Sequence, residues 1–312
     1  MCSSERNDNS CEFRMNRGDV EATQRAVWPC SSILNSCTRD EVKHMNSGSP
    51  KFRFPAVGVR SVTFALGLLV PLAALAELSN DSMVGPGLRL RPAYDGSASQ
   101  KGELVPVVRY FGRPWFARST QGVLEGGVRM ELVPGLNAGA QLAYEPGRET
   151  GESDFLRNHS VSNVDGGASL GVHLEWDHKF GPVPITLLAR TRQHTDAARG
   201  AQADLRLSVG AYRSGRFAAG LFTQATWANA KSTGSFYGVT PQQSAATGLP
   251  AFGARSGLMF GSLGLLWSVD LSQNWIVVGS MESRRLYGDA ARSPLAERES
   301  NYYGSAGLAY RF

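Results

Sequence analysis

Residues 124–144 read Leu124-Glu125-Gly126-Gly127-Val128-Arg129-Met130-Glu131-Leu132-Val133-Pro134-Gly135-Leu136-Asn137-Ala138-Gly139-Ala140-Gln141-Leu142-Ala143-Tyr144. Leu124, Gly126, Val128, Met130 and Leu132 take every second position, with Glu125, Gly127, Arg129 and Glu131 between them. A period of two sends the first set to one face of an extended chain and the second to the other. Beyond the turn Val133-Pro134-Gly135 the rule resumes: Leu136, Ala138, Ala140, Leu142 and Tyr144 stand against Asn137, Gln141 and Glu145. The stretch is a hairpin, apolar on one face and polar on the other.

The alternation continues outward. Ala168, Leu170, Val172, Leu174 and Trp176 form one row, and Ala203, Leu205, Leu207, Val209 and Ala211 another. Phe217 to Trp227 and Tyr302 to Phe312 repeat it. These segments are about 10–13 residues long, more than the ~5–6 of soluble strands and suited to tilted membrane strands. Short and long connections alternate. The short ones are Phe111–Pro114, Val133–Gly135, Lys179–Pro182, Arg213–Gly215 and Ser272–Asn274; the long ones include 146–163, 229–255 and 287–300. Trp115, Tyr144, Trp176, Trp227, Trp275, Tyr302 and Phe312 sit near segment ends, as interfacial girdles require.

The pattern predicts an all-β fold: a transmembrane antiparallel β-barrel of about twelve strands, with ten as the alternative count. The strands are expected near 84–94, 102–111, 114–121, 123–132, 136–145, 164–178, 183–194, 203–212, 216–228, 256–271, 275–285 and 301–312. In 256–271 the phase slips between Phe260 and Leu263, which predicts a bulge around Gly261. An even count puts both termini and all five short turns on the periplasmic side. Each unpaired amide in hydrocarbon costs several kcal/mol, so the expectation excludes an open sheet edge. Arg89, Arg91, Glu125, Arg129, Glu131, Glu175, Arg190 and Arg206 are expected in the lumen, where opposite charges pair across strands.

The barrel is expected over 77–312, behind a secretory signal. Lys51, Arg53 and Arg60 precede an uncharged run from Ser61 to Ala76, which ends Ala74-Leu75-Ala76. Cleavage is expected after Ala76. The run is interrupted by Pro71 and is short of the ~20 residues of a membrane helix. Met45 would start a signal 45–76 of ordinary length, which makes 1–44 an N-terminal extension of doubtful status. Cys2, Cys11, Cys30 and Cys37 all precede the signal, so the expected mature region has neither a disulfide framework nor a thiolate metal site. Its 23 Lys and Arg against 20 Asp and Glu leave a small positive balance without basic clusters, which argues against nucleic acid as a partner.

The stretch Phe236–Leu258, FYGVTPQQSAATGLPAFGARSGL, resembles the signature of the MipA/OmpV family, the MltA-interacting outer-membrane proteins. The opening Gly87–Ser97 and the end from Leu286 through Ser293-Pro294 to Phe312 are similar to the same family. The resemblance implies an outer-membrane protein that scaffolds a lytic murein transglycosylase and a bifunctional murein synthase. It also implies contact with outer-membrane lipid and lipopolysaccharide. It gives no catalytic residues and no cofactor. The motif residues Tyr237, Gly238, Val239, Thr240, Pro241, Gly248, Leu249 and Pro250 carry no assigned role. Leu308, Tyr310 and the terminal Phe312 resemble the signal read by the barrel-assembly machinery.

Two other functions compete. The first is a narrow outer-membrane pore, or a barrel serving osmotic stress or adhesion. The second is an outer-membrane hydrolase built on His159, His173, His178 or His194. Ser169, four residues from His173, lies ~13 Å along the strand, too far for a hydrogen bond. A Ser on a neighbouring strand is not excluded. Glu149, Glu152 and Asp154 lack the spacing of a metal loop and are expected as solvated surface. Arg89, Arg91, Arg109, Arg113 and Arg118 could meet lipid phosphates or line a pore, but lumen pairing is the expectation. The mature chain is read as non-enzymatic, without metal or cofactor.

Overall fold

The computed structural model describes residues 81–312 and, near the start of the chain, Arg6–Asn7 and Ser10–Cys11, which form a two-residue antiparallel ladder. The signal segment 45–76, its cleavage point Ala76 and the rest of 1–44 lie outside the described residues.

Among the described residues, twelve strands close one antiparallel barrel. They are β1 Met83–Pro92, β2 Gln100–Phe111, β3 Trp115–Thr120 and β4 Val123–Val133. Then come β5 Leu136–Glu145, β6 Gly167–Phe180, β7 Val183–His194 and β8 Ala201–Ser214. β9 Phe217–Ala228, β10 Gly257–Asp270, β11 Trp275–Leu286 and β12 Ser300–Arg311 complete the circuit. β12 returns to β1, from Gly304 opposite Leu90 to Arg311 opposite Met83. The larger of the two expected counts is correct.

Most boundaries shift by one to three residues, and three departures have a visible cause. β1 ends at Pro92 because Ala93 and Tyr94 turn into an apolar cluster above the barrel. β6 begins at Gly167, since Val164 instead pairs with Arg148 in an isolated bridge. The β10 slip falls at Met259, ahead of Gly261: Phe260 faces Thr226 while Leu258 faces Trp227. Met259 and Phe260 are consecutive and both buried, because both pack with Tyr237 and Leu286.

The alternate rows separate as their period requires. Leu88, Leu104, Met130, Leu142, Leu170, Val172 and Leu263 are exposed on the outer wall. Such a face is unfavourable in water and matches hydrocarbon. Trp115, Trp176, Trp275, Tyr310 and Phe312 are exposed toward the short-turn end, and Tyr144, Trp227 and Tyr302 toward the long-loop end. The described residues contain no helix long and apolar enough to cross a membrane.

One seam departs from the rest. β2 pairs with β1 from Met83↔Arg109 to Pro92↔Gln100. With β3 it pairs only at Arg109↔Arg118, Tyr110↔Ala117 and Phe111↔Phe116. Above these pairs Ser119 replaces the ladder: its Oγ accepts from the Val108 amide at 3.0 Å. β3 and β4 then turn at Gln121-Gly122, and the turn tips into the lumen. Gln121 Nε2 donates to Glu282 of β11 at 2.8 Å. Gly122 has φ +82°, a left-handed conformation that glycine adopts without strain, and it lies against the Arg89 guanidinium.

The edge of β2 above Val108 therefore has no strand partner among the described residues. The barrel closes as expected, with this stretch of the β2 edge left short of ladder pairs. The sequence accommodates it with a proline. Pro86 and Pro106 face each other across β1 and β2. Neither has an N–H, so they occupy a non-hydrogen-bonded site, and the missing donor of Pro106 belongs on the β3 side. Proline is tolerated at such an edge. Irregular backbone at membrane depth survives where it lines a wet cavity.

Candidate functional site: a lidded and charged lumen

The inward row of each strand builds the site. Glu125 of β4 is almost wholly buried and accepts from Arg190 Nη1 at 2.7 Å, from Gln141 Nε2 at 3.0 Å and from Arg118. Asp204 of β8 accepts from Arg190 Nε at 2.9 Å, Arg192 Nη2 at 3.0 Å and Thr226 Oγ1 at 2.7 Å. Glu175 of β6 takes Arg118 Nη1 at 2.5 Å and Arg129 at 3.5 Å. On the far wall Arg284 joins Glu282 at 2.9 Å to Asp95 at 2.8 Å. Desolvating such charges costs several kcal/mol each, and the arrangement holds because nearly every charge has its counter-charge in place. The network joins β3, β4, β6, β7 and β8 across the lumen.

Arg89, Glu125, Glu175, Arg190 and Arg206 are buried inside as expected, and Arg91 and Arg129 are half-buried there. Glu131 is instead exposed at the short-turn rim, where it pairs with Arg113 at 2.9 Å. Glu152 is not solvated surface. It pairs with Arg91 of β1 at 3.3 Å and with Lys101 of β2, tying a loop over the open seam. Asp154 does lie exposed, paired with Arg157.

Loops close the outer mouth. Ala93 and Tyr94 of the first loop, Leu156 and Val161 of 146–166, Val239 of 229–256 and Leu295 of 287–299 bury one another in a single cluster. The motif stretch supplies its centre. It runs from the last two residues of α2, Ala230–Tyr237, through α3, Pro241–Thr247. Thr240 and Gln243 make a reciprocal capping box with Pro241 at the first turn, and Gly248 ends α3 in the left-handed region. Tyr237 is 3% exposed and donates to the Asp95 carbonyl at 3.2 Å, while Ser293 Oγ donates to the Tyr237 carbonyl at 2.7 Å. Val239 pairs with Phe252, and Leu249 packs against the same cluster. The motif thus has a packing reason, which its position in a long loop concealed. Burial pushes the Tyr237 phenol well above its ordinary pKa. Burial, then nearby Glu297, raises Tyr94. Burial lowers Arg148, whose guanidinium donates to the Phe236 carbonyl. Below the lid, a cavity of about 160 Å³ is lined by Tyr94, Arg148, Tyr237 and Arg284.

The four histidines of the barrel stand in separate environments. His173 is buried with its ring edge-on to Phe116 at 5.1 Å. Ser169 and His194 face each other across β6 and β7, which is the cross-strand arrangement left open by the sequence. His194 Nδ1 accepts the Asp196 amide at 3.0 Å. That nitrogen is thereby engaged by the backbone and not by a serine. His159 caps α1, Asp154–Asn158, and His178 stacks on Trp176. Among the described residues no group of three metal-ligating side chains converges. Leu308, Tyr310 and Phe312 all face the outer surface at the rim.

Several important residues escaped the sequence reading. Pro106 carried a usable signal, a proline inside a membrane strand. Asp95 and Arg284 carried none for their mutual pair, which joins positions far apart in the chain; Asp204 meets Arg190 and Thr226 directly across its two neighbouring strands, a register that alternation alone does not give.

The chain resembles solved outer-membrane proteins at low likeness. An outer-membrane channel from Pseudomonas putida shares 9% identity at a TM-score of 0.41, covering 78% of this chain and 99% of that one. An anion-selective porin from Comamonas acidovorans shares 12% at 0.33, with 75% of each chain covered. OprB of Pseudomonas putida shares 11% at 0.35; 68% of this chain is covered, and it spans 59% of the OprB chain. No curated protein matches the sequence. The profile of the family described as MltA-interacting protein MipA matches residues 84–312, nearly the whole described barrel. The barrel, its apolar outer wall and that match identify an outer-membrane β-barrel protein, and the chain belongs to the MipA family.

Proposed function

We propose that the protein is a non-enzymatic scaffold that docks murein enzymes on the periplasmic rim of a barrel closed to the outside. The observation that carries the reading is the lid: loops of four connections share one apolar core over the outer mouth. Beneath it most lumen charges, Arg206 excepted, are committed to one another. A solute path through both would have to break that core and desolvate paired ions.

The family description names an interaction with MltA, and the short-turn rim is the surface a periplasmic enzyme can reach. The rim has a concavity of about 650 Å³ bounded by Arg113, Pro114, Met130, Leu132 and Pro134. Beside it lies a second of about 410 Å³ at Gly135, His178, Lys179 and Pro184. Arg213 and Arg216 are exposed on the next turn. Hollows of mixed polarity, with Glu131 beside Arg113 in the first and Asp177 beside Lys179 in the second, suit a partner that offers apolar side chains among charges of both signs.

The test is pull-down from detergent-solubilised envelopes, with single-channel recording in planar bilayers. The expected result is co-purification of a lytic transglycosylase, weakened about tenfold by Lys179→Glu with Arg213→Glu, and electrical silence. Unchanged pull-down by the double variant, or steady salt-dependent current steps, would contradict the reading and favour the pore.

A further inference from the structure

The open seam leads somewhere. A continuous cavity of about 300 Å³ is lined by the outward-facing Leu88, Pro106 and Val108 and also by the lumen residues Arg118, Arg206 and Glu282. The ladder between β2 and β3 stops at Arg109↔Arg118, and Pro106, on the unpaired edge of β2 above it, lines this cavity. The interruption lies at membrane depth: Leu104, 80% exposed, faces Leu88, which in turn faces Ala306. That position falls between Tyr302 and Tyr310, one from each aromatic girdle. The cavity therefore runs from the hydrocarbon to the charged interior.

Its inner end holds an unusual cation. Arg206 is 8% exposed, and no ion pair joins it to a carboxylate within 4 Å among the described residues. Its guanidinium lies over the Phe222 ring at 3.9 Å, and its Nε reaches Ser208 Oγ only at 3.5 Å. Nη1 has no hydrogen-bond partner, and neither does Arg118 Nη2 on the same cavity. A buried donor left unsatisfied costs about 1–3 kcal/mol, more on a charged group. The carboxylates that share the cavity are engaged elsewhere, Glu175 by Arg118 and Arg129 and Glu282 by Arg284 and Gln121. Asp177 accepts from Thr186.

The geometry points to a binding site for a single-chain amphiphile with an anionic head. The head accepts hydrogen bonds from Arg206 Nη1 and Arg118 Nη2. The tail leaves past Val105, Val107 and Pro106 through the β2–β3 seam into the outer half of the membrane. The volume is at the low end for ligand cavities, which fits one chain and excludes the several chains of a lipid A. Carboxylate and phosphate heads share the required chemistry. The inference stands apart from docking at the rim, since its binding groups are Arg206 and Arg118 inside the lumen and not Lys179 and Arg213 at the turns.

The test uses the full chain purified in dodecyl maltoside, so that a neutral twelve-carbon amphiphile is always present in excess. Dansyl-undecanoate is titrated in, and its emission is followed. Saturable one-to-one binding is expected, displaced by dodecanoate or monododecyl phosphate and not by dodecyltrimethylammonium. The stronger competitor tells a carboxylate source from a phosphate one. Arg206→Gln is expected to weaken binding about tenfold or more, and Arg285→Gln, an exposed arginine paired with Glu299, to leave it unchanged. If Arg206→Gln fails to fold, Val107→Trp, which fills the channel and leaves both arginines, is expected to abolish binding. Absence of saturable binding, equal displacement by the cationic amphiphile, or binding indifferent to the folded variant would overturn the proposal.

Discussion

The two edges of β2 have the same residues in them and different fates. The edge toward β1 is laddered from Arg109 to Gln100, whereas the edge toward β3 is laddered for three residues and then left. The difference teaches that closing a membrane barrel does not require every seam to be complete. It requires each exposed amide to be satisfied, deleted or wetted. Ser119 satisfies Val108, Pro106 deletes a donor, and the cavity behind the seam can hold water for the rest. β3 stays in place because the other side of its hairpin is fully paired from Trp115↔Val128 to Thr120↔Val123, and because Arg118 is gripped by two carboxylates.

The strongest way to break the comparison is to remove that grip. Glu125→Ala leaves Arg118 and Arg190 without their shared carboxylate in a buried site. The expected loss is about 3–5 kcal/mol, read as a lower urea midpoint in detergent, with the β3–β4 hairpin becoming protease-sensitive before β1. Next is the lid above the seam. Tyr237→Ala removes a buried ring and its hydrogen bond, for roughly 3–4 kcal/mol of local stability. Limited proteolysis should then cut 229–256 while the strands remain resistant.

The lid also has a pH limit. Tyr94 and Tyr237 have pKa values raised by burial. A phenol of this kind contributes stability that is whole below its ordinary value near 10 and is lost as pH rises through the folded value. Loop protection should be flat from neutral pH to about 10 and fall only above it; a fall below pH 9 would show that other groups hold the lid. The smallest effects are at the seam itself. Glu152→Gln weakens the tie from the loop to Arg91 and Lys101 by about 0.5–1 kcal/mol. Ser119→Ala orphans the Val108 amide at a cost of about 1 kcal/mol. Both should speed amide exchange along 100–108 and leave 83–92 unchanged.

The strands were legible in the sequence because alternation is a local property, and every one of the twelve was found within a few residues. The lumen face was legible for the same reason, down to Glu125, Arg190 and Arg206. The seam was not. A period of two says which way a side chain points and nothing about what stands beside the strand, so β3 could be recognised as a strand without showing how little of β2 it covers. The lid was hidden differently: Tyr237 and Val239 are buried by loops far apart in the chain, a relation no periodicity reports. Arg206 looked like its neighbours, and only the positions of all the carboxylates distinguish it.

One measurement reaches the central claim directly. Because Pro86 and Pro106 fix the hydrogen-bonding phase of β2, the amides of Lys101, Glu103, Val105 and Val107 point at β1, and those of Gly102 and Leu104 point at the seam. Residue-resolved hydrogen exchange by NMR on the barrel in detergent micelles should show the first four protected and Gly102 and Leu104 exchanging at least a hundredfold faster, an order-of-magnitude expectation for unbonded amides. Equal protection across 101–107 would mean that the seam is closed.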